Sequence, residues 1–165
     1  MNLNEYVSRP FTSFDKEWAL VTAGDIDHFN TMTVSWGAMG TLWNKPVIIV
    51  FIKPVRYTAE FLASNDQFTV SFYGEQHRKA LRLLGTKSGR DSDKIRESGL
   101  KPVAAGMSVT FREADKTFLL KKIYMAPFDP DSVPPFAHDL YYKEEAEHFI
   151  VIGEVIDIVE EKQNE

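Results

Sequence analysis

The fold is decided by the stretch FNTMTVSWGAMGTLWNKPVIIVFIKPVRYTAEFL, residues Phe29 to Leu62. Near its start, hydroxyl and bulky residues alternate from Thr31 to Trp36, which is the period of a β-strand. The run Val47 to Ile52 is rich in β-branched residues and lies between two prolines, so we expect a central strand buried on both faces. The segment Arg56 to Asn65 spaces its aromatic residues four apart, which predicts a short helix.

Outward from this stretch, the chain continues as short strands with few helices. Alternation predicts further strands at Trp18 to Ala23, Gln67 to Tyr73, Met107 to Arg112, Thr117 to Met125 and Phe149 to Val159. Helical spacing predicts helices at Gln76 to Leu84 and in a second segment that Asp91 caps and Gly99 ends. Because the strands adjoin in sequence, they favour an antiparallel barrel of six or seven strands over a doubly wound sheet.

The sequence also predicts the structure of the two chain ends and of two connecting segments. Residues 1–17 are expected to form a loosely structured arm, and EEKQNE at residues 160–165 a solvated tail. The pair Asp115-Lys116 fits a hairpin turn between two strands, although it lacks glycine. Four prolines make Ala126 to Tyr142 a long, semi-rigid excursion that covers a cofactor, extends a subunit contact or does neither.

Length and composition limit the classes of function. The 165 residues, 44% hydrophobic and 26% charged, are expected to form one globular domain over residues 1–165. A net charge of −5 provides no general attraction for nucleic acid or an anionic membrane. The chain has no cysteine, which excludes disulfides and thiolate chemistry, so any redox chemistry requires a bound cofactor. The N-terminal sequence lacks the features of a signal peptide, and we expect a cytoplasmic protein.

Three groups of residues have side chains that suit binding of a phosphate or another anion, and the first also suits the polar edge of a ring. The hydroxyls of Thr31, Thr33 and Ser35 share one strand face, which either binds a ligand or is ordinary surface, and the neighbouring Trp36 suits a ring contact or a core. At the start of the predicted helix, KPVRYT (residues 53–58) combines an arginine with unpaired backbone donors, as an anion site or as a plain capped helix.

The third group joins glycine with basic and hydroxyl residues in KSGRDSDK, residues 87–94. This composition is typical of phosphate-binding nests and also of a solvated charged loop. Neither a Walker loop nor a Rossmann fingerprint occurs, and no GxSxG motif supports a hydrolase. The four histidines show no metal-binding spacing, so no metal site is expected.

Four pieces of the chain, in order, resemble the flavin reductase-like, FMN-binding split-barrel family, and its flavoredoxin-like branch in particular. The pieces are Phe29 to Leu62, FTVSFY (Phe68 to Tyr73), LGTKSGRDSDKIRESGL (Leu84 to Leu100) and HFIVIGEV (His148 to Val155). The resemblance implies a six-stranded antiparallel Greek-key split barrel. It also implies a homodimer with FMN near the subunit interface.

By position, the resemblance implies three sets of cofactor-binding residues. The flavin ring would be lined by Asn30, Met32, Thr33, Ser35 and Trp36. The ribityl chain and phosphate would be held by Lys53, Arg56, Tyr57 and Thr58. A third set would close over FMN or receive the reduced nicotinamide: Ser88, Arg90, Asp91 and Lys94. His148 would lie near the flavin edge or on the surface, and no side chain is expected to act as a catalytic acid or nucleophile, since the flavin supplies the chemistry.

The resemblance leaves more than one function open. The first is an FMN-dependent oxidoreductase, in which NADH or NADPH donates a hydride and free flavin or another acceptor receives the electrons. The second is an electron carrier of the flavoredoxin type, reduced by a protein partner to which an acidic surface would dock. The third is a binding barrel without a cofactor. Because no nucleotide-binding motif is present, the sequence does not distinguish NADH from NADPH.

Overall fold

The computed structural model describes residues 6 to 160, so the predicted tail lies outside the described residues except for Glu160. Seven strands form one antiparallel sheet in the order β2-β1-β5-β8-β9-β4-β3, and β6 pairs with β7 in a separate ladder. Their bounds are β1 Ala19–Gly24, β2 Phe29–Val34, β3 Gly37–Leu42, β4 Lys45–Ile52, β5 Gln67–Phe72, β6 Pro102–Ala105, β7 Ser108–Phe111, β8 Lys116–Pro127 and β9 Phe149–Glu160.

The large sheet curls around one apolar core. Met32 of β2, near one edge, belongs to the same buried cluster as Val50 of β4, near the other. Phe68 of β5 and Leu120 of β8 fill the interior between them. At Gly153 of β9 a Cβ would lie 2.7 Å from both the Phe68 ring and the Leu120 Cβ, so only glycine fits where these strands press together. The result is the mainly β barrel that the sequence predicts, with seven strands in the large sheet where the family resemblance implies six.

Three helices pack outside the sheet: α1 Tyr57–Ser64, α2 Arg78–Thr86 and α3 Lys94–Ser98. The α2 helix follows a 3₁₀ turn and buries Leu81 and Leu84 in a second apolar cluster with Phe111 of β7. Short helical turns occupy Pro130–Ser132, Pro135–Ala137 and His138–Tyr142 in the proline-rich segment. No helix among residues 6 to 160 is long and apolar enough to cross a membrane.

The cap of α3 differs from the prediction. Asp93, rather than Asp91, accepts a hydrogen bond from the Arg96 backbone N–H at 3.2 Å. Gly99 ends the helix with φ of +77°, as expected for a left-handed C-terminal position. Asp91 lies two residues too early for its carboxylate to reach this turn.

Two strands were not predicted, and one predicted hairpin is absent. The edge strand β3 contains two glycines, and β6 begins at a proline. Both residue types are uncommon within strands, so neither segment shows the usual strand composition. The hairpin at Asp115-Lys116 is wrong because β7 pairs with β6, whereas β8 pairs with β5 and β9. Hydroxyls bridge the two sheets: Thr69 donates to the Val109 carbonyl at 2.6 Å.

The loose N-terminal arm is also a wrong prediction for the residues that the structure describes. Helical turns run over Pro10–Thr12 and Ser13–Glu17, and the Phe14 side chain is 2% exposed. Its ring packs edge-on against Phe72, with centroids 5.4 Å apart, and lies where a Cβ at Gly37 would be. A single large aromatic residue anchors the turn because its burial outweighs the poor helix propensity of this short segment.

Replacing Phe14 with alanine should lower the free energy of unfolding by about 3–5 kcal/mol, since a buried ring is lost and the site collapses only in part. Phe11, which is 91% exposed three residues earlier, is the matched control. Phe11→Ala should change stability by less than about 0.5 kcal/mol. Urea unfolding of both variants measures the difference, and equal effects would contradict an anchoring role for Phe14.

Candidate functional site

Two neighbouring clefts flank the beginning of α1 and contain most of the predicted site residues. The first, here called the aromatic cleft, has a volume of about 300 Å³. Its walls include Met32, Thr33, Ser35, Trp36, Lys53 and Arg56. The second, the loop cleft, has a volume of about 470 Å³ and is formed partly by the loop before α3. Its walls include Asn30, Tyr57, Arg90, Asp91 and Lys94. Thus 11 of the 13 predicted residues line one cleft or the other.

The remaining two predicted residues lie beside these clefts. Thr58 is fully buried, and its hydroxyl accepts a hydrogen bond from Asn30 Nδ2 at 2.8 Å. Ser88 is partly buried in the loop, where its Oγ accepts from the Arg90 backbone N–H at 3.2 Å. Both residues support the shape of the loop cleft through these bonds. The structure therefore brings the dispersed predictions together around a single helix N-terminus.

The row of three hydroxyls does not form one open face. Thr31 is fully buried and lies 2.8 Å from the Thr22 hydroxyl, so the expectation that it faces water or a ligand is wrong. Thr33 Oγ1 donates to the Leu81 carbonyl of α2, which packs on this side of the strand. Ser35 Oγ has no hydrogen-bond partner within residues 6 to 160, so it is the hydroxyl of the three that is free for a ligand.

Arg56 precedes the first residue of α1 and forms part of the aromatic cleft wall. Its guanidinium is partly buried, and burial lowers its pKa. Within the described part of the chain, residues 6 to 160, no carboxylate or carbonyl accepts a hydrogen bond from it. A guanidinium has five N–H donors, and a partly desolvated one without acceptors is unfavourable unless an anion completes the site.

A second cation lies near Arg56. The Lys94 side chain is 2% exposed, and its Nζ donates to the carbonyls of Leu84 and Lys87, both at 3.1 Å. These carbonyls end α2, so Lys94 caps the negative end of that helix. Burial, together with the charge of Arg56, lowers the pKa of Lys94 to about 8. The two charges are close enough for that of Arg56 to affect Lys94, and neither group forms an ion pair with a carboxylate among residues 6 to 160, so together they favour the binding of an anion.

A glycine lets the loop close over the strand. A Cβ at Gly89 would overlap Asn30 Oδ1 and lie 3.2 Å from the Tyr57 ring. Only glycine therefore allows the backbone of this loop to touch β2 and α1. The nearby Arg90 lies over the Tyr57 ring, 4.7 Å from its centroid, and forms an ion pair with Glu60. Arg90 is thus held by the protein's own groups at the rim.

The opposite wall of the aromatic cleft comes from the end of the proline-rich segment. Tyr141 meets Trp36 edge-on with ring centroids 4.9 Å apart, and His148 packs on Trp36 at 5.2 Å. Lys53 is paired with Glu145 at the rim. Burial lowers the pKa of His148, and the positive charge of Lys53 lowers it further, so the imidazole is neutral at neutral pH.

Sequence reasoning did not identify Tyr141 or Phe51 as cleft residues. The adjacent tyrosines Tyr141 and Tyr142, directly after a proline-rich excursion, were the available signal. Phe51 stacks on Phe128 at 5.7 Å, and the Phe128 backbone N–H donates to the His148 carbonyl at 3.0 Å. These contacts hold the start of the proline-rich segment against the barrel. Tyr141, near the end of the same segment, lines the aromatic cleft.

Comparison with known proteins agrees with this geometry. Residues 11–165 match the model of the flavin reductase like domain. The chain belongs to the flavin reductase-like family. No protein of curated function matches the sequence well enough to count as a relative.

Solved structures with the same fold include an FMN-binding protein from Thermus thermophilus with bound 1-cyclohex-2-enone, at 20% identity and a TM-score of 0.71. That alignment covers 96% of this chain and 80% of the other. Flavoredoxin from Desulfovibrio vulgaris (Miyazaki F) is similar at 22% identity and a TM-score of 0.70, over 98% of this chain and 76% of the other. Flavoredoxin from Methanosarcina acetivorans is similar at 21% identity and a TM-score of 0.70, over 99% of this chain and 75% of the other. At these identities the likeness establishes the split-barrel fold.

The depressed pKa of Lys94 makes stability depend on pH. The pKa is 10.5 in the unfolded reference and about 8 in the fold, so the native state binds a proton less readily. Stability therefore increases as pH rises from about 7 towards 10.5, and this contribution is lost as pH falls through 8. Between about pH 7 and pH 9 the chain should gain about 1 kcal/mol relative to Lys94→Met, measured by urea unfolding. If the free energy of unfolding changed with pH in the same way in both proteins, the lowered pKa of Lys94 would be contradicted.

Proposed function

We propose that this protein is an FMN-binding oxidoreductase that receives a hydride from NADH or NADPH and delivers electrons to free flavin or another small acceptor. The observation that carries the proposal is the Arg56 guanidinium in the wall of the aromatic cleft, which has no acceptor among residues 6 to 160 and lies near the buried cation of Lys94. A phosphate monoester supplies the missing negative charge, and a planar ring system suits aromatic walls. FMN combines these two groups in one molecule.

The residues present fit FMN at both of its ends. For the phosphate, the structure offers the guanidinium of Arg56, the charge of Lys94 and the N-terminus of α1. For the ring, it offers the free hydroxyl of Ser35, the backbone around Met32 and Thr33, and the Trp36 side chain, which is 40% exposed. The loop at Gly89 lies against Asn30 and Tyr57, and it would cover the ribityl chain.

When bound, FMN would accept two electrons and a proton equivalent from a nicotinamide and pass the electrons on. The chain's own residues would bind and orient it, since no side chain of the clefts has the surroundings of a nucleophile. Donors such as Ser35 Oγ and the backbone N–H groups of β2 would stabilise negative charge on the ring. Tyr141 and Trp36 would exclude water from one side.

Arg90 and Asp91 line the loop cleft, where they would either cover FMN or contact the reduced nicotinamide. A second function, an electron carrier reduced by a protein partner, is favoured by one feature of the surface. Phe136 and Leu140, 68% and 69% exposed, project from the proline-rich segment that borders the aromatic cleft. The flavoredoxins with the same fold are consistent with this alternative.

We also propose that the protein works as a homodimer with FMN near the subunit contact. The edge strand β3 is largely exposed, and the turn after it carries Trp43, which is 65% exposed. Such an edge with a large apolar residue favours association with a second copy. Sedimentation mass measured with and without residues 126–142 would separate a role of the proline-rich segment in the dimer from a role in FMN retention.

Arg56→Ala should weaken FMN binding by on the order of 2–4 kcal/mol, because one partly desolvated charge contact to the phosphate is lost. Arg82→Ala is the matched control, since Arg82 is an exposed arginine of α2 outside both clefts. Titration followed by quenching of flavin fluorescence measures both affinities. An unchanged affinity in Arg56→Ala would remove the central residue of the proposed site.

Electron donation is tested on protein that has been incubated with FMN and desalted. Under anaerobic conditions, NADH or NADPH alone should bleach the flavin absorbance, because the proposal needs no protein partner for reduction. A protein that stays yellow with both nucleotides would favour the electron carrier. A colourless protein after desalting would contradict both functions.

A further inference from the structure

Behind the aromatic cleft lies a buried pair of ring side chains that binding of FMN does not explain. Tyr142 and His148 are 9% and 6% exposed, and the Tyr142 hydroxyl lies 2.9 Å from His148 Nδ1. Their rings are nearly perpendicular, with centroids 5.5 Å apart. Tyr142 ends the proline-rich segment and His148 directly precedes β9, so the bond joins that segment to the barrel.

The direction of this hydrogen bond follows from the surroundings of the two groups. Burial raises the pKa of the Tyr142 hydroxyl, and this effect exceeds the opposing effect of a hydrogen bond with the His148 backbone, so the phenol keeps its proton. Burial and Lys53 lower the pKa of His148, and the opposing effect of Glu145 is smaller. A neutral phenol beside a neutral imidazole donates to the unprotonated ring nitrogen. His148 Nδ1 is therefore the acceptor, and the ring proton is on Nε2.

This arrangement leaves one ring atom of His148 for a ligand. The imidazole forms part of the aromatic cleft wall and packs on Trp36. Because Nδ1 is occupied by Tyr142, Nε2–H is the donor that remains, and it has no acceptor among residues 6 to 160. An uncharged N–H donor suits a neutral carbonyl oxygen, whereas a protonated histidine would prefer an anion.

We propose that Tyr142 is a positioning residue that holds His148 in its Nε2–H tautomer, so that the cleft presents a neutral donor to a carbonyl oxygen of the second substrate. This inference rests on the proposed function, because it concerns the molecule that exchanges electrons with the flavin. The carbonyl belongs either to the carboxamide of the reduced nicotinamide or to the electron acceptor. Tyr142 itself touches neither molecule.

The tautomer is measured without reference to activity. Long-range ¹H–¹⁵N NMR spectra distinguish the two neutral tautomers and the charged form of histidine, and the chain has only four histidines. His148→Asn identifies the signal of interest. At about pH 7.5 the wild type should show a single Nε2–H form, and Tyr142→Phe should show a mixture of tautomers. An Nδ1–H or charged His148 in the wild type, or an unchanged tautomer in Tyr142→Phe, would overturn the proposal.

Kinetics of the FMN-loaded protein provide the second arm. Tyr142→Phe keeps the ring and removes one hydroxyl, so FMN affinity should stay within about twofold while one KM rises roughly three- to tenfold. A rise in the KM for NADH or NADPH identifies the carboxamide as the carbonyl source, and a rise in the KM for the acceptor identifies the acceptor. Unchanged KM values for both substrates would overturn the proposal.

Tyr124→Phe is the control for loss of a tyrosine hydroxyl, since Tyr124 is 42% exposed on β8 and lies outside both clefts. It should leave the tautomer of His148 and both KM values unchanged. If Tyr142→Phe does not fold, the wild-type spectra alone decide whether the phenol donates to Nδ1. If the wild type binds no FMN, the proposed function fails, and the spectra still decide the role of Tyr142.

Discussion

Arg56 and Lys94 are two partly or fully buried cations that form no ion pair with a carboxylate among residues 6 to 160, and the geometry of both clefts depends on them. Arg56 has no acceptor within the described chain, and Lys94 is satisfied by carbonyl groups alone. Burial lowers the pKa of both groups, which means that their charged forms are less favourable than in water until an anion binds nearby. The other features of the site follow from holding these two groups together: the start of α1, the glycine that admits the loop and the end of α2 that Lys94 caps.

The barrel explains why such an arrangement can persist. Its core of interlocking apolar residues, closed at the N-terminal side by Phe14 and at β9 by Gly153, provides stability that does not depend on the clefts. Proteins commonly keep unfavourable charges at functional sites when the rest of the fold is well packed. The aromatic wall is a second layer, since Trp36, Tyr141 and His148 contact one another as well as the cleft.

Much of this organisation could be predicted from local patterns. The β-branched run Val47 to Ile52 lies within β4, and the arginine expected at a helix N-terminus is found there at Arg56. Alternation located the main strands because a strand with one buried face has a period of two. Local patterns did not distinguish Asp93 from Asp91 as a cap, since both precede the helix within three residues.

Long-range packing determined what the sequence could not indicate. The row of hydroxyl residues predicts that Thr31 faces water or a ligand. Instead, the neighbouring strand brings the Thr22 hydroxyl against it. No local rule specifies where a proline-rich excursion returns, so the contact of Tyr141 with Trp36 was not predictable. Lys94 was expected to face the cofactor through a charged loop. In the structure the ammonium group of Lys94 also donates hydrogen bonds to carbonyls at the end of α2.

We propose that the two clefts form one site that recognises the phosphate of FMN. Parallel titrations with FMN and with riboflavin, which lacks the phosphate, test it most directly. If Arg56 and Lys94 bind the phosphate, FMN should bind at least about tenfold more tightly than riboflavin. Added salt should reduce this ratio of affinities, because it screens the charges. Equal affinities for FMN and riboflavin would contradict the account.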